Sequence, residues 1–110
     1  MTILLDGDLV NQKSIPVRPE SNLWRGQGWF ETMAIKDGVI FNVSDHIERL
    51  TNSLPDDARA ETDWQRLQTQ IAQLAQRTEG FARGKLVVWE EDCAYRYAGW
   101  TRPYEPPSPE

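Results

Sequence analysis

The chain has 110 residues, 39% hydrophobic and 26% charged, which is the make-up of one small globular domain and not of a disordered or membrane-spanning segment. Twelve basic residues against seventeen acidic ones leave a net charge of −5, which lacks the basic footprint that binding to a phosphate backbone demands, so no nucleic-acid partner is expected. A single cysteine, Cys93, excludes an internal disulfide framework and a multi-cysteine zinc site and points to a reducing compartment. No apolar run approaches the roughly 18–20 residues that cross a bilayer, and Asp6 and Asp8 interrupt any signal-like start, so a cytoplasmic protein with no membrane partner is expected. Burial of roughly 65% of the unfolded chain's surface allows a core without staples.

In chain order, Ile3-Leu4-Leu5 and Leu9-Val10 flank Asp6-Gly7, a dipeptide that supplies the positive φ angles of a tight hairpin turn. Asn11 to Asn22, with Pro16 and Pro19, reads as a connecting loop. Trp29 to Ile35 is rich in aromatic and β-branched residues, and a second Asp-Gly pair at 37–38 leads into Val39, Ile40, Phe41 and Val43, so a second hairpin is expected there. Ser44 is placed as the N-cap of a short helix carrying Ile47, Leu50 and Leu54 on one face and ending at Pro55.

Thr62-Asp63-Trp64-Gln65 has the form of a capping box opening a longer helix, with Trp64, Leu67, Ile71 and Leu74 as its apolar stripe and Gly80 as its left-handed stop. Lys85 to Glu90 reads as a buried strand, paired with a segment from Cys93 to Trp100 across a turn bearing Glu90-Glu91-Asp92. Cys93 is placed as a small strand residue. The fold class is α+β, an antiparallel sheet with two helices packed on one face. One domain is expected over residues 1–100, and the proline-rich stretch 101–110 reads as a tail or interdomain linker.

Gly26 and Gly28 do not make a nucleotide loop, because Glu31 stands where a third glycine belongs and a strand follows instead of a helix. Strand alternation puts Phe30 and Thr32 on one face and Trp29, Glu31 and Met33 on the other. A glutamate on a covered face needs a partner, so Glu31 is either a paired structural carboxylate, the favoured reading, or a site residue. His46 and Arg49, three apart on one helix, lie on adjacent positions of one face. A lone histidine is poor support for a metal, and none is expected. Arg49 suits bidentate capture of a phosphate or carboxylate, or else packs on the surface as an ordinary helix arginine.

Gly26-Gln-Gly-Trp-Phe-Glu-Thr-Met33, Ile35-Lys-Asp-Gly-Val-Ile-Phe41 and Asp45-His-Ile-Glu-Arg-Leu50, in this order and spacing, resemble the start of class IV (fold type IV) pyridoxal-phosphate enzymes. That family includes branched-chain and D-amino-acid aminotransferases and aminodeoxychorismate lyase. The resemblance is strongest from Arg25 to about Leu54, and in outline it covers the family's small N-terminal domain. It implies that Arg49 contacts the cofactor phosphate, that Phe30 and Thr32 line the substrate side of the pocket, and that His46 and Glu31 are structural members of the motif.

In relatives the lysine that bonds the cofactor and the carboxylate beside its pyridine nitrogen both lie in a second, larger domain. Lys13, Lys36 and Lys85 do not match that lysine, so no catalytic residue is assigned in this chain. Glu90 and Glu91 follow Trp89 where relatives often carry a hydroxyl residue, arginine and glycine, which leaves Arg96 or Arg102 to meet a substrate carboxylate.

The leading expectation is therefore the N-terminal domain of a class IV aminotransferase or aminodeoxychorismate lyase, incomplete as a catalyst alone. Its partners would be the C-terminal pyridoxal-phosphate domain, a second copy in a homodimer, and an amino-acid or chorismate-derived substrate. The alternative is a non-enzymatic dimerisation or interaction module derived from that fold.

Overall fold

A computed structural model describes residues 2–11 and 28–104. The loop expected from Asn11 to Asn22 lies outside the described residues beyond Asn11, as do Gly26, Lys13 and the end of the proline-rich stretch. The hairpin of β1 (Thr2–Leu5) and β2 (Asp8–Asn11) turns at Asp6 and Gly7, whose φ angles of 48° and 97° are those the Asp-Gly pair was expected to supply. A second such turn at Asp37 and Gly38, with φ 48° and 82°, joins β3 (Gly28–Lys36) to β4 (Val39–Ile40).

β4 is shorter than the sequence pattern predicts. Asn42 adopts a left-handed conformation at φ 55°, which turns the chain out of the sheet, and Val43 opens α1 (Val43–Ser53). Asn42, and not Ser44, is the N-cap; asparagine tolerates this region of φ/ψ space better than most residues. Leu54 leaves the helix in an extended conformation ahead of Pro55, as the residue before a proline prefers.

A third helix, α2 (Asp56–Glu61), corrects the expectation of two. Its six residues are too few to show a periodic stripe, but Asp56 and Asp57 sit in its positive first turn and Ala58 is buried in the core. The Thr62 hydroxyl donates back to the Ala58 carbonyl, so Asp63 instead caps α3 (Trp64–Ala75), accepting from the Arg66 N–H at 3.0 Å. α3 ends at Ala75, short of Gly80. Gly80, at φ 62°, exchanges bonds with the second hairpin turn: Asp37 N–H donates to its carbonyl, and its own N–H donates to Asp37 Oδ1.

β5 (Phe81–Glu91) and β6 (Ala94–Pro103) are longer than predicted. Glu90 and Glu91 belong to β5, so only Asp92 of the acidic trio sits on the turn, beside Cys93. Both turn residues have positive φ, at 53° and 63°, so Cys93 is an exposed turn residue and not a strand residue. The strand also runs past the expected boundary at residue 100. The Tyr104 N–H donates to the Phe81 carbonyl, so by alternation the position of the missing Pro103 donor faces away from β5, where no described strand needs it.

The six strands form one antiparallel sheet in the order β2-β1-β6-β5-β3-β4. Leu4, Met33, Leu86 and Val88 pack from one face against Ile47, Leu50, Leu54, Ala58, Leu67, Ile71 and Leu74 of the helices. Gly99 lets α3 approach closely, since a Cβ there would meet Leu86 Cδ2 at 2.9 Å and Ile71 Cδ1 at 3.2 Å. The other face carries its own buried cluster of Ile3, Val87, Trp89, Ala98 and Trp100. Among the described residues no helix is long and apolar enough to cross a membrane.

Candidate functional site

β3 separates the predicted site residues onto the two faces of the sheet. Its burial alternates from Phe30 onward, with Glu31, Met33 and Ile35 buried under the helices and Phe30, Thr32, Ala34 and Lys36 exposed on the opposite face. Beyond Ala34, whose carbonyl accepts from the Phe41 N–H, β4 does not follow β3 back toward Gly28, because it pairs only with Ile35 and Lys36. Among the described residues the edge of β3 from Gly28 to Met33 is therefore unpaired. At that edge Arg49 and His46, from the helix layer, come level with Phe30 and Thr32 on the opposite face.

Glu31 is the one buried charged residue among those described, and its partners come from α1. Its Oε1 lies 2.6 Å from His46 Nδ1 and 3.1 Å from Arg49 Nη1. Residues 46 and 49 share a helix face one turn long, so both reach the same oxygen below them. A carboxylate withdrawn from water needs such partners, and here two donors converge on it. Arg49 nevertheless remains 66% exposed at its side chain, so most of its guanidinium fork is open to solvent.

That open fork leaves donors free for an oxyanion. On the opposite sheet face, shared with Phe30 and Thr32, Lys85 and Lys36 lie with Nζ 4.8 Å from the centre of the Phe30 ring and 5.2 Å from that of Phe81.

The two arginines left as candidates for a substrate carboxylate differ sharply. Arg96 is already engaged: its Nε and Nη2 donate to Asp6 Oδ2 at 3.0 and 2.8 Å, its Nη1 lies 3.5 Å from Glu91 Oε2, and its guanidinium lies over Trp89. The hydrogen bonds to Asp6 hold it above its usual pKa, against the opposing effect of burial. Arg102 is exposed and lines a cleft of about 530 Å³ with Thr32, Arg83, Lys85, Trp100 and Tyr104. Sequence reasoning missed Arg83, which lay outside the strand expected from Lys85; the observed strand starts at Phe81, and its alternation puts Arg83 and Lys85 on one face.

The sequence profile described as amino-transferase class IV matches residues 28–110. No curated protein sequence matches. Among solved structures, the fold resembles a hypothetical aminotransferase from Mycobacterium tuberculosis in its PLP-bound form, at 23% identity and a TM-score of 0.74 over 94% of this chain and 39% of that one. A fold IV transaminase from Curtobacterium pusillum superposes with a TM-score of 0.76 at 19% identity, over 96% of this chain and 43% of that one. The 4-amino-4-deoxychorismate lyase from Pseudomonas aeruginosa does so with a TM-score of 0.62 at 22% identity, over 92% of this chain and 39% of that one. The chain thus spans about two fifths of the length of the solved structures it resembles. With the three motifs of β3, β4 and α1 in one continuous profile match, and the same α+β fold beneath them, the chain belongs to the class IV aminotransferase family.

Proposed function

We propose that this chain acts as the small N-terminal domain of a class IV pyridoxal-phosphate enzyme, an aminotransferase or an aminodeoxychorismate lyase, in which Arg49 holds the cofactor phosphate. The observation that carries the reading is the Arg49 fork, tethered by Glu31 at 3.1 Å yet open to solvent beside the edge of β3 that no other described residue pairs with. Tethering one Nη leaves the rest of the planar fork free for an oxyanion, and it reduces the rotamer freedom that capture would otherwise remove. His46, on the same Glu31 oxygen, also holds the carboxylate in place.

Phe30 and Thr32 form a wall of the substrate pocket on the opposite face, and the amino-acid or chorismate-derived substrate lies against them. Pyridoxal phosphate, when bound, supplies an electron sink for a carbanion. The lysine and the pyridine-nitrogen carboxylate are contributed by a C-terminal domain that is this chain's main partner, with a homodimer as the functional assembly.

Exposed Phe30, Val39, Phe41 and Phe81 favour a second reading, in which the same face of the fold serves a non-enzymatic dimerisation or interaction module.

Calorimetric titration of the chain with pyridoxal phosphate, with Arg49→Ala as the control, tests the first reading. Saturable binding that the substitution abolishes is expected, with almost no transamination by this chain alone. Binding that survives in Arg49→Ala would remove Arg49 from the phosphate site. A tight dimer that binds no cofactor at millimolar concentration would favour the module.

A further inference from the structure

We infer that the outward face of α3 is a contact between two copies of this chain, packed antiparallel about a two-fold axis level with the peptide joining Gln70 to Ile71. Residues 65, 69, 72 and 76 recur at helical spacing on the side of α3 away from its buried residues, with 68 and 73 flanking them. Gln76 is the C-cap and keeps helical backbone angles, so the spacing holds to the end of the helix. The residue types mirror about the middle of this face. A two-fold axis there sets Gln65 against the second copy's Gln76, Gln68 against its Gln73 and Thr69 against its Ala72. A contact between identical surfaces needs this arrangement, because each patch must match itself.

None of the six residues carries a charge, in a chain that is 26% charged and has a net charge of −5. A second copy of so acidic a chain is repelled least where the approaching faces are neutral. The neighbouring Arg66 and Arg77 donate to Asp8 and to the Thr2 hydroxyl of the first hairpin. A glutamine amide both donates and accepts, so two that face each other satisfy one another. Among the described residues no hydrogen bond engages the side-chain amides of Gln65, Gln68, Gln73 or Gln76.

The same six residues line an open groove of about 610 Å³ together with Val43, the half-buried first residue of α1. Thr69 and Ala72, the small side chains nearest the axis, let two helices approach to about 8–10 Å. A 12-residue helix is about 18 Å long and about 10 Å across, so the contact covers far less than the roughly 800 Å² per partner of a stable complex. The dimer is therefore weak, forming in the upper micromolar range. α3 carries none of the residues placed at the cofactor or the substrate, so the inference stands apart from the Arg49 reading.

Sedimentation equilibrium of the 110-residue chain at low and high salt, from roughly 20 μM to roughly 2 mM, tests it. A monomer–dimer equilibrium with a dissociation constant below roughly 1 mM is expected. Salt should tighten it by screening the net charges, where an ion-paired contact would loosen. Gln68→Glu combined with Gln73→Glu sets carboxylates opposite each other across the axis and should weaken the dimer roughly tenfold or more. Gln68→Lys combined with Gln73→Glu sets opposite charges there and should restore association at low salt. An unchanged unfolding midpoint confirms that each variant is folded. Four results overturn the inference: a chain that stays monomeric up to roughly 2 mM, a dimer that salt loosens, one that both double variants leave unchanged, or one that both weaken equally.

Discussion

The Glu31 carboxylate accepts from His46 Nδ1 at 2.6 Å through Oε1, the same oxygen that faces Arg49. The two contacts are unequal in solvent, since the His46 side chain is 17% exposed and Arg49 66%. Arg49 rehydrates when its partner is lost, whereas His46 is left with a covered donor. Glu31→Ala should therefore destabilise the fold by about 1–3 kcal/mol in urea denaturation, and Arg49→Ala by less than about 1 kcal/mol. Equal losses in the two variants would show that the arginine contact, and not the histidine one, dominates.

Gly99 is where the sheet and α3 come closest. A methyl group there meets Leu86 Cδ2 at 2.9 Å and Ile71 Cδ1 at 3.2 Å, both on fully buried side chains. At Gly84 the nearest atom, Ile35 Cδ1, is 3.2 Å away. Overpacking of this kind typically costs about 1–3 kcal/mol. Gly99→Ala is expected in that range and Gly84→Ala below it, read as shifts in urea midpoint. A neutral Gly99→Ala would mean that α3 can move outward freely.

Asp6 ties the first hairpin to β6. One carboxylate oxygen accepts from the Tyr97 N–H at 3.1 Å and the other takes both Arg96 bonds, all from a residue at φ 48°. Asp6→Ala loses these bonds and puts a non-glycine residue without a local polar side chain in left-handed space. A loss of about 2–3 kcal/mol is expected. Asp6→Asn tolerates the same φ and should lose less. Thermal denaturation of the two variants side by side measures the difference, and identical melting would deny the carboxylate its role.

Partial burial, then the hydrogen bond to Asp57, pushes the Tyr95 hydroxyl up to about 12. The unfolded chain releases this proton near pH 10 while the folded chain keeps it, so the contribution is fully present below pH 10 and is lost as the pH rises toward 12. Tyr95→Phe should remove this part of the alkaline decline in stability. Parallel pH profiles of wild type and variant between pH 9 and 12 would contradict the assignment.

Local patterns in the sequence determined a large part of this protein. The two Asp-Gly turns follow from the positive φ angles this pair supplies, while the alternation that sets Glu31 against Phe30 and Thr32 and the joint placement of His46 and Arg49 follow from periods of two and 3.6 residues. The family motifs lie on the same elements. Short or irregular local structure was less legible: α2 has too few residues for a stripe, and Asn42 ends β4 through a backbone conformation that hydrophobicity does not encode.

Tertiary structure decided which charges meet. Arg96 was an available cation in the sequence until folding brought Asp6, 90 residues away, onto its guanidinium. Arg83 and Arg102 became opposite neighbours only through the register of β5 and β6. Glu31 likewise acquired His46, 15 residues on, only when α1 settled over β3. Local periodicity chooses the face on which a side chain stands. Its partner across that face is set by strand register and helix packing, which many distant contacts determine together.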